Sequence, residues 1–398
     1  MNLVHRPFQT RKLLLCITGG IAAYKAADYA RKLIKQGAEV IPVMTENACR
    51  FITPLTVATL TGNKVHTNIF DQNEPLAHIH LVRQAELMIV LPATANFLAK
   101  AANGIADDLV SALSIANSNP MIVFPAMNPV MYAQPVVQRN IRLLREMGHV
   151  VVEPEQGETA CNETGRGRLP DFEIVREHTL KALCKQDLAG KKMLISAGPT
   201  HEPIDPVRFI SNRSSGLMGY MLAQAAWRRG AEVRLVSGPS RLPAPVGIEQ
   251  INVKTAGEME NSMNTLLPWA DTIIMAAAVA DYRPKDISQI KIKKELEHTT
   301  LELVKNNDIL SALAVSKRPD QFIIGFCAET NDMEINALNK FRQKGVDMLV
   351  ANDVSQADAG FDVPTNRVMI ITHKGTQCLP LMHKEELADR LLDAAISE

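Results

Sequence analysis

Several short segments in the first half of the chain carry residue types suited to binding and proton transfer. Thr18-Gly19-Gly20-Ile21 follows an apolar run and opens a helical pattern. Glycines there let backbone N–H groups approach an anion at a helix N-terminus, and they serve a plain strand-to-helix turn equally well. The run is not G-x-G-x-x-G, so a mononucleotide phosphate suits it better than a dinucleotide. Thr45 sets a hydroxyl after a second apolar run. Pro92-Ala93-Thr94-Ala95-Asn96 offers small residues for a flat ring, and Thr94 or Asn96 also suits an ordinary helix N-cap. Pro125-Ala126-Met127-Asn128 ends on an amide that can hold a carboxylate or carbonyl, or simply make a turn. His78 and His80 would share a face only on a strand, and no third ligand is spaced nearby, so a surface histidine is the commoner outcome. Cys161 lies in a polar, glycine-rich run from 158 to 168, where Arg166 and Arg168 can lower a thiol pKa. That run reads as a flexible lid carrying a proton donor.

The second half carries a different set. Ser196-Ala197-Gly198-Pro199-Thr200 ends an apolar run, and Ser214-Ser215-Gly216 opens a helix as an anion site, with Gly219 one turn on for close packing. Asp281 follows a strand, where it can orient a nucleotide or Mg²⁺. Lys291-Ile292-Lys293-Lys294 can neutralise a triphosphate; composition alone favours a solvated, lysine-protected edge strand. Lys340 and Lys344 are four apart, on one helix face. G-x-x-x-x-G-K-S/T occurs nowhere, which argues against a P-loop kinase or ATPase.

The elements that must position these residues alternate strand and helix. Residues 13–17, 38–44, 87–91, 121–124 and 149–152 are short aliphatic runs without polar alternation, as in strands buried on both faces of a parallel sheet. A polar pause at 186–192 suggests a linker, after which 193–196, 232–236, 272–276, 322–326 and 348–351 repeat the pattern, and 367–372 with 379–381 reads as an edge hairpin. The expectation is α/β: two Rossmann-like domains, 1–190 and 191–398, each a mostly parallel sheet flanked by helices. Ligands then sit beyond the carboxyl ends of the strands.

Composition bounds the class. The 398 residues carry 43 Lys+Arg and 43 Asp+Glu, a net charge of zero that argues against nucleic acid held by a broad basic field. Six scattered cysteines fit a reducing, cytoplasmic setting. No run of ~20 apolar residues predicts a membrane span. Residues 11–23 imitate a signal peptide, but Gly19-Gly20 interrupts the apolar core.

From about residue 12 to 392, in order, these motifs resemble the bacterial bifunctional flavoproteins of coenzyme A biosynthesis. That family joins phosphopantothenoylcysteine decarboxylase, in an N-terminal flavodoxin-like domain, to phosphopantothenate–cysteine ligase. The resemblance implies FMN held by Gly19, Gly20, Ile21, Thr45 and Thr94. It implies His78 as a base or carboxylate-orienting group, Asn128 as the ligand of the substrate carboxylate, and Cys161 as proton donor to the enethiolate. In the second half it implies CTP, with Mg²⁺, contacted by Asp281, Lys291, Asn307, Asp308, Ile309, Leu310, Phe326, Lys340 and Lys344. Asn212 would hold an acyl cytidylate of 4′-phosphopantothenate while cysteine attacks, and Lys291 would stabilise charge as the cytidylate forms. Protein metal ligands are not assigned. Trimers of the flavin domain, with FMN at a subunit boundary, and dimers of the ligase domain would close into a homo-oligomeric dodecamer. Relatives commonly carry Asn at Asp107 and Pro at Asn307. Two rivals share the flavin fold: a phosphatase-regulating binding module and a flavin prenyltransferase. Neither should carry the ligase motifs, and the Cys161 loop argues against both.

Overall fold

The computed structural model describes residues 5–158, 160–293, 299–329, 332–353, 358–360 and 363–398. These fall into two compact units, one ending at Cys184 and the other taking up from Lys185.

The first unit is built on β1 (Lys12–Ile17), β2 (Glu39–Met44), β3 (Leu87–Ala93), β4 (Ile122–Pro125) and β5 (Val150–Val151). All pair in parallel, in the order β2-β1-β3-β4-β5. This is the flavodoxin-like doubly wound order, whose switch point lies between β1 and β3. Successive side chains feed opposite apolar layers. Leu13, Leu15 and Phe124 pack with Leu33 and Phe172 on one face, while Leu14, Cys16 and Val90 pack with Phe97 and Ile141 on the other. Burial pushes the Cys16 thiol pKa far up, as expected of a core-filling cysteine. Beside this sheet stands an antiparallel hairpin, β6 (Glu155–Glu158) and β7 (Thr164–Arg168). The segment expected as a flexible lid is therefore the end of a two-stranded ribbon. Its attachment needs glycine: a Cβ on Gly167 would lie 2.1 Å from the Met127 carbonyl oxygen, and Met127 N–H donates to Gly167 O at 3.0 Å.

The second unit contains β8 (Lys192–Ala197), β9 (His201–Pro203), β10 (Phe209–Ser211), β11 (Glu232–Ser237), β12 (Glu249–Asn252), β13 (Thr272–Met275), β14 (Tyr282–Pro284), β15 (Leu303–Lys305), β16 (Phe322–Glu329), β17 (Met348–Asp353), β18 (Thr365–Thr372) and β19 (Gly375–His383). Its main sheet runs β12-β11-β8-β13-β16-β17-β18-β19. The first six strands are parallel in the Rossmann order, and β18 and β19 close one edge antiparallel, as the sequence suggested. Helix Leu217–Arg228 lies almost wholly buried against this sheet. Gly219 permits its approach, since a Cβ there would stand 2.6 Å from Ala197 Cβ. Among the described residues, no helix is long and apolar enough to cross a membrane.

Candidate functional sites

The first cavity, about 540 Å³, opens at the β1/β3 switch point. Gly19, Gly20 and Ile21 line it from the end of β1, and Thr94 and Ala95 from the end of β3. Helix Ala23–Lys35 starts there with no acid in its first turn, so its positive end is open to an anion. Ile21, Ala22, Ala126, Met127, Met131 and Leu169 supply apolar wall. The size, the apolar walls and the amide-rich rim suit a flat aromatic group carrying one phosphate. The Thr94 hydroxyl caps helix Ala95–Asn103 by accepting from Phe97 N–H at 3.3 Å, and the same residue lines the cavity. Thr45 is outside the lining; its hydroxyl accepts from Ala48 N–H at 3.2 Å and caps the short helix Glu46–Cys49.

Asn128 and Cys161 meet in this cavity, with Asn128 Nδ2 donating to Cys161 Sγ at 3.1 Å. The arginines expected beside the thiol are engaged elsewhere. Arg168 bonds Asp171 at 2.9 Å, and Arg166 pairs with Glu153 at 3.7 Å. A neutral amide therefore touches the sulfur. His78 lies on helix Ala77–Gln84, outside the cavity lining. On a helix, residues two apart point in different directions, so a His78–His80 metal pair is ruled out. Its buried Nδ1 meets no hydrogen-bond partner among the described residues. Asp107 is also outside the lining, bonded to Lys100 at 2.6 Å, and that bond holds its carboxyl below the usual range. Its charge is thus neutralised where relatives have an amide.

The second cavity, about 550 Å³, lies at the carboxyl ends of β13, β16 and β17. It brings together Asn212, Asp281, Asn307, Asp308, Ile309, Leu310, Phe326, Lys340 and Lys344. The Asn212 amide donates to Val279 O at 2.9 Å and Ala278 O at 3.3 Å, which fixes it over the turn after β13. Asp308 caps helix Ile309–Ser316 through Ser311 N–H at 3.1 Å and binds the Lys344 ammonium. Burial pushes the Asp308 pKa up, but these donors outweigh it and leave the group lowered. Lys340 binds Glu329 at 2.6 Å; burial pulls its pKa down, and the carboxylate more than restores it. Asn307, where relatives have Pro, donates to both Glu260 oxygens at 3.0 and 3.2 Å. Burial pushes the Cys327 thiol up to about 11, so it lines the cavity as a neutral group.

Lys291 is not brought to this cavity. It is exposed, in a stretch (291–293) that forms no strand, so neither the edge-strand reading nor a shared strand face applies; Lys294 lies outside the described residues. The stretch is held by Asp205. That carboxylate accepts from Val207, Arg208 and Ile292 N–H at 2.8, 2.8 and 3.1 Å, and from the Arg208 guanidinium. Burial alone would raise its pKa, but the donors bring it down to about 2. Sequence reading passed over Asp205, and also Asn352, Asn366 and Lys384, which line the far side of the second cavity. Arg367 N–H donates to Asn366 Oδ1 at 3.0 Å, and Asn366 Nδ2 donates to Asn352 Oδ1 at 3.1 Å, so both amides are oriented. Asn352 stands near the end of a strand, the one signal by which it was findable.

Comparison with known proteins bears on both cavities. The DNA/pantothenate metabolism flavoprotein C-terminal domain family matches residues 188–397, and the Flavoprotein family matches residues 2–183. The chain is 43% identical over 397 residues to the coenzyme A biosynthesis bifunctional protein CoaBC of Bacillus subtilis, covering 98% of each. It is 42% identical over 386 residues to the CoaBC protein of Vibrio cholerae, covering 96% of this chain and 97% of that one. The Escherichia coli K12 protein of the same name is 41% identical over 393 residues, covering 97% of each.

Proposed function

The chain belongs to the bifunctional coenzyme A biosynthesis family, and from that premise we propose which of its residues carry each reaction. The enzyme is a phosphopantothenoylcysteine decarboxylase in its flavoprotein half and a phosphopantothenate–cysteine ligase in the other. The assignment of residues is supported chiefly by convergence: motifs scattered over 130 positions, from Asn212 to Lys344, line one cavity, while Asn128 and Cys161 meet in another.

In the first site Gly19, Gly20, Ile21 and Thr94 would hold FMN, with Thr45 at the neighbouring strand end. Bound there, FMN supplies reversible two-electron oxidation of the substrate thiol, so carbon dioxide is lost with no net redox change. Asn128 Nδ2 holds the departing carboxylate. Cys161 Sγ donates the proton that the enethiolate carbon takes up. His78 acts as base or orients the carboxylate, reaching the cavity of a neighbouring copy across a subunit boundary.

In the second site Asp281, Asn307–Leu310, Phe326, Lys340 and Lys344 hold CTP; the 4′-phosphopantothenate carboxylate attacks its α-phosphorus, the α–β phosphoanhydride bond breaks, and pyrophosphate leaves as the acyl cytidylate forms. Mg²⁺ arrives with the triphosphate. Asp281, which lines the cavity, is the carboxylate that would meet it. Asn212 positions the cytidylate for the cysteine amine. Lys291 serves a neighbouring copy's cavity, its stretch held out by Asp205. Exposed apolar side chains in both units, among them Leu55 and Phe70 in the first and Phe209 and Ile290 in the second, support a homo-oligomer; trimers of one domain and dimers of the other would give a dodecamer.

The test is direct. Purified protein should be yellow, with FMN absorbance. With CTP, Mg²⁺, cysteine and 4′-phosphopantothenate it should yield 4′-phosphopantetheine, CMP and carbon dioxide. Lys291→Gln should abolish cytidylate formation and spare decarboxylation of supplied 4′-phosphopantothenoylcysteine. Loss of both activities in a folded variant would refute the two-site assignment.

A further inference from the structure

Asn128 is oriented by the helix it starts. Its Oδ1 accepts from Val130 N–H at 2.8 Å and Met131 N–H at 3.4 Å, so its Nδ2 is the end turned to the cavity. That Nδ2 donates to Glu163 Oε2 at 2.7 Å as well as to Cys161 Sγ at 3.1 Å. One carboxylate and one sulfur on a single amide are the functional groups at the reacting end of the substrate, a C-terminal cysteine with its carboxylate free.

We propose that Glu163 rests on Asn128 at the place the substrate carboxylate takes, and that substrate enters by displacing it. The proposal rests on the reading of Asn128 as the substrate-carboxylate ligand. An amide nitrogen has two N–H groups, and here Glu163 and Cys161 engage both. A second carboxylate cannot join Glu163 there without like-charge repulsion, so the two exclude each other. Glu163 is exposed on the ribbon that carries Cys161, and it can swing into water once displaced. The apparent affinity for substrate is then lowered by the fraction of molecules in which Glu163 is seated. The product has lost its carboxylate and has nothing to set against Glu163. Return of Glu163 to Asn128 therefore favours release of product over release of substrate.

The experiment measures Kd by calorimetry on FMN-loaded protein for two ligands. 4′-Phosphopantothenoylserine keeps the carboxylate and lacks the oxidisable thiol; 4′-phosphopantetheine lacks the carboxylate. Glu163→Ala should bind the serine ligand about three- to tenfold more tightly and change 4′-phosphopantetheine by less than about twofold. Glu163→Gln, which keeps an acceptor without the charge, should show a smaller gain in the same direction. Unchanged or weaker binding of the serine ligand by Glu163→Ala, or an equal gain for both ligands, overturns the proposal. Asn128→Asp, measured alongside, keeps the helix cap but loses the donor and should lose affinity for the serine ligand alone. If it binds both ligands as the parent does, the reading of Asn128 itself fails, whatever Glu163 does.

Discussion

The two cavities are nearly equal in size, about 540 and 550 Å³, and are made ready in opposite ways. The flavin-side cavity is walled by alanine, methionine, isoleucine and leucine, and at its working edge a neutral amide touches a thiol. The nucleotide-side cavity carries Lys305, Lys340, Lys344 and Lys384, and two of these are already bound to Asp308 and Glu329. The difference follows from the chemistry each must do. Breaking one carbon–carbon bond needs a few atoms placed well. On the proposed reading, activating a carboxylate with a triphosphate needs charge neutralised, and half-buried lysines must rest on acids until the phosphates arrive. One site is poised by position, the other by ion pairs that can be exchanged.

That contrast breaks most sharply at Cys161. Cys161→Ser should lower decarboxylase turnover about a thousandfold, leave ligase activity intact and accumulate a decarboxylated, oxidised species detectable by mass. Full turnover would remove the thiol from the proton-donor role. A middling effect is expected at Asp205, which shapes the ligase side without lining its cavity. Asp205→Asn should cut ligase kcat about tenfold and spare decarboxylation; equal loss of both would show general destabilisation. Its pH signature has a definite sign. The folded pKa lies below the ordinary carboxylate value, so its stabilisation is complete above about pH 4 and is lost as pH falls toward about 2. Melting temperatures measured across that window should drop less steeply in Asp205→Asn. The smallest effect should come at Asp107, whose charge Lys100 already neutralises away from the cavity. Asp107→Asn should change decarboxylase kcat/KM by less than about twofold; a large gain would show that the carboxylate faces the ligand after all.

The sheets were the most legible part of the sequence. Strands such as β1, β3, β8 and β16 are unbroken aliphatic runs, and that pattern follows from burial on both faces. The ribbons β6–β7, β9–β10 and β14–β15 left no such mark. Their strands are three to five residues long and mostly polar or exposed. Gly165 and Gly167 look like loop residues in a linear reading. In the fold they are points of contact with Pro129 and Met127. Among site residues, those directly after strands were visible for the same reason the strands were. Asp205, Asn366 and Lys384 were not, because a buried polar group is defined by what surrounds it. In the fold, Arg166 and Arg168, neighbours of Cys161 in sequence, also pair with Glu153 and Asp171.

The cap formed by Asn128 closes off a route of evolutionary drift. Helix starts tolerate exchange among Ser, Thr, Asp and Asn, since each supplies an accepting oxygen. On the role proposed for Asn128, the same side chain must offer N–H groups outward while its oxygen faces the helix. Aspartate keeps the start of the helix and reverses the polarity of the other end; serine and threonine lack a second polar atom to extend. A position that folding alone would leave free among four residue types is narrowed to one by its second duty.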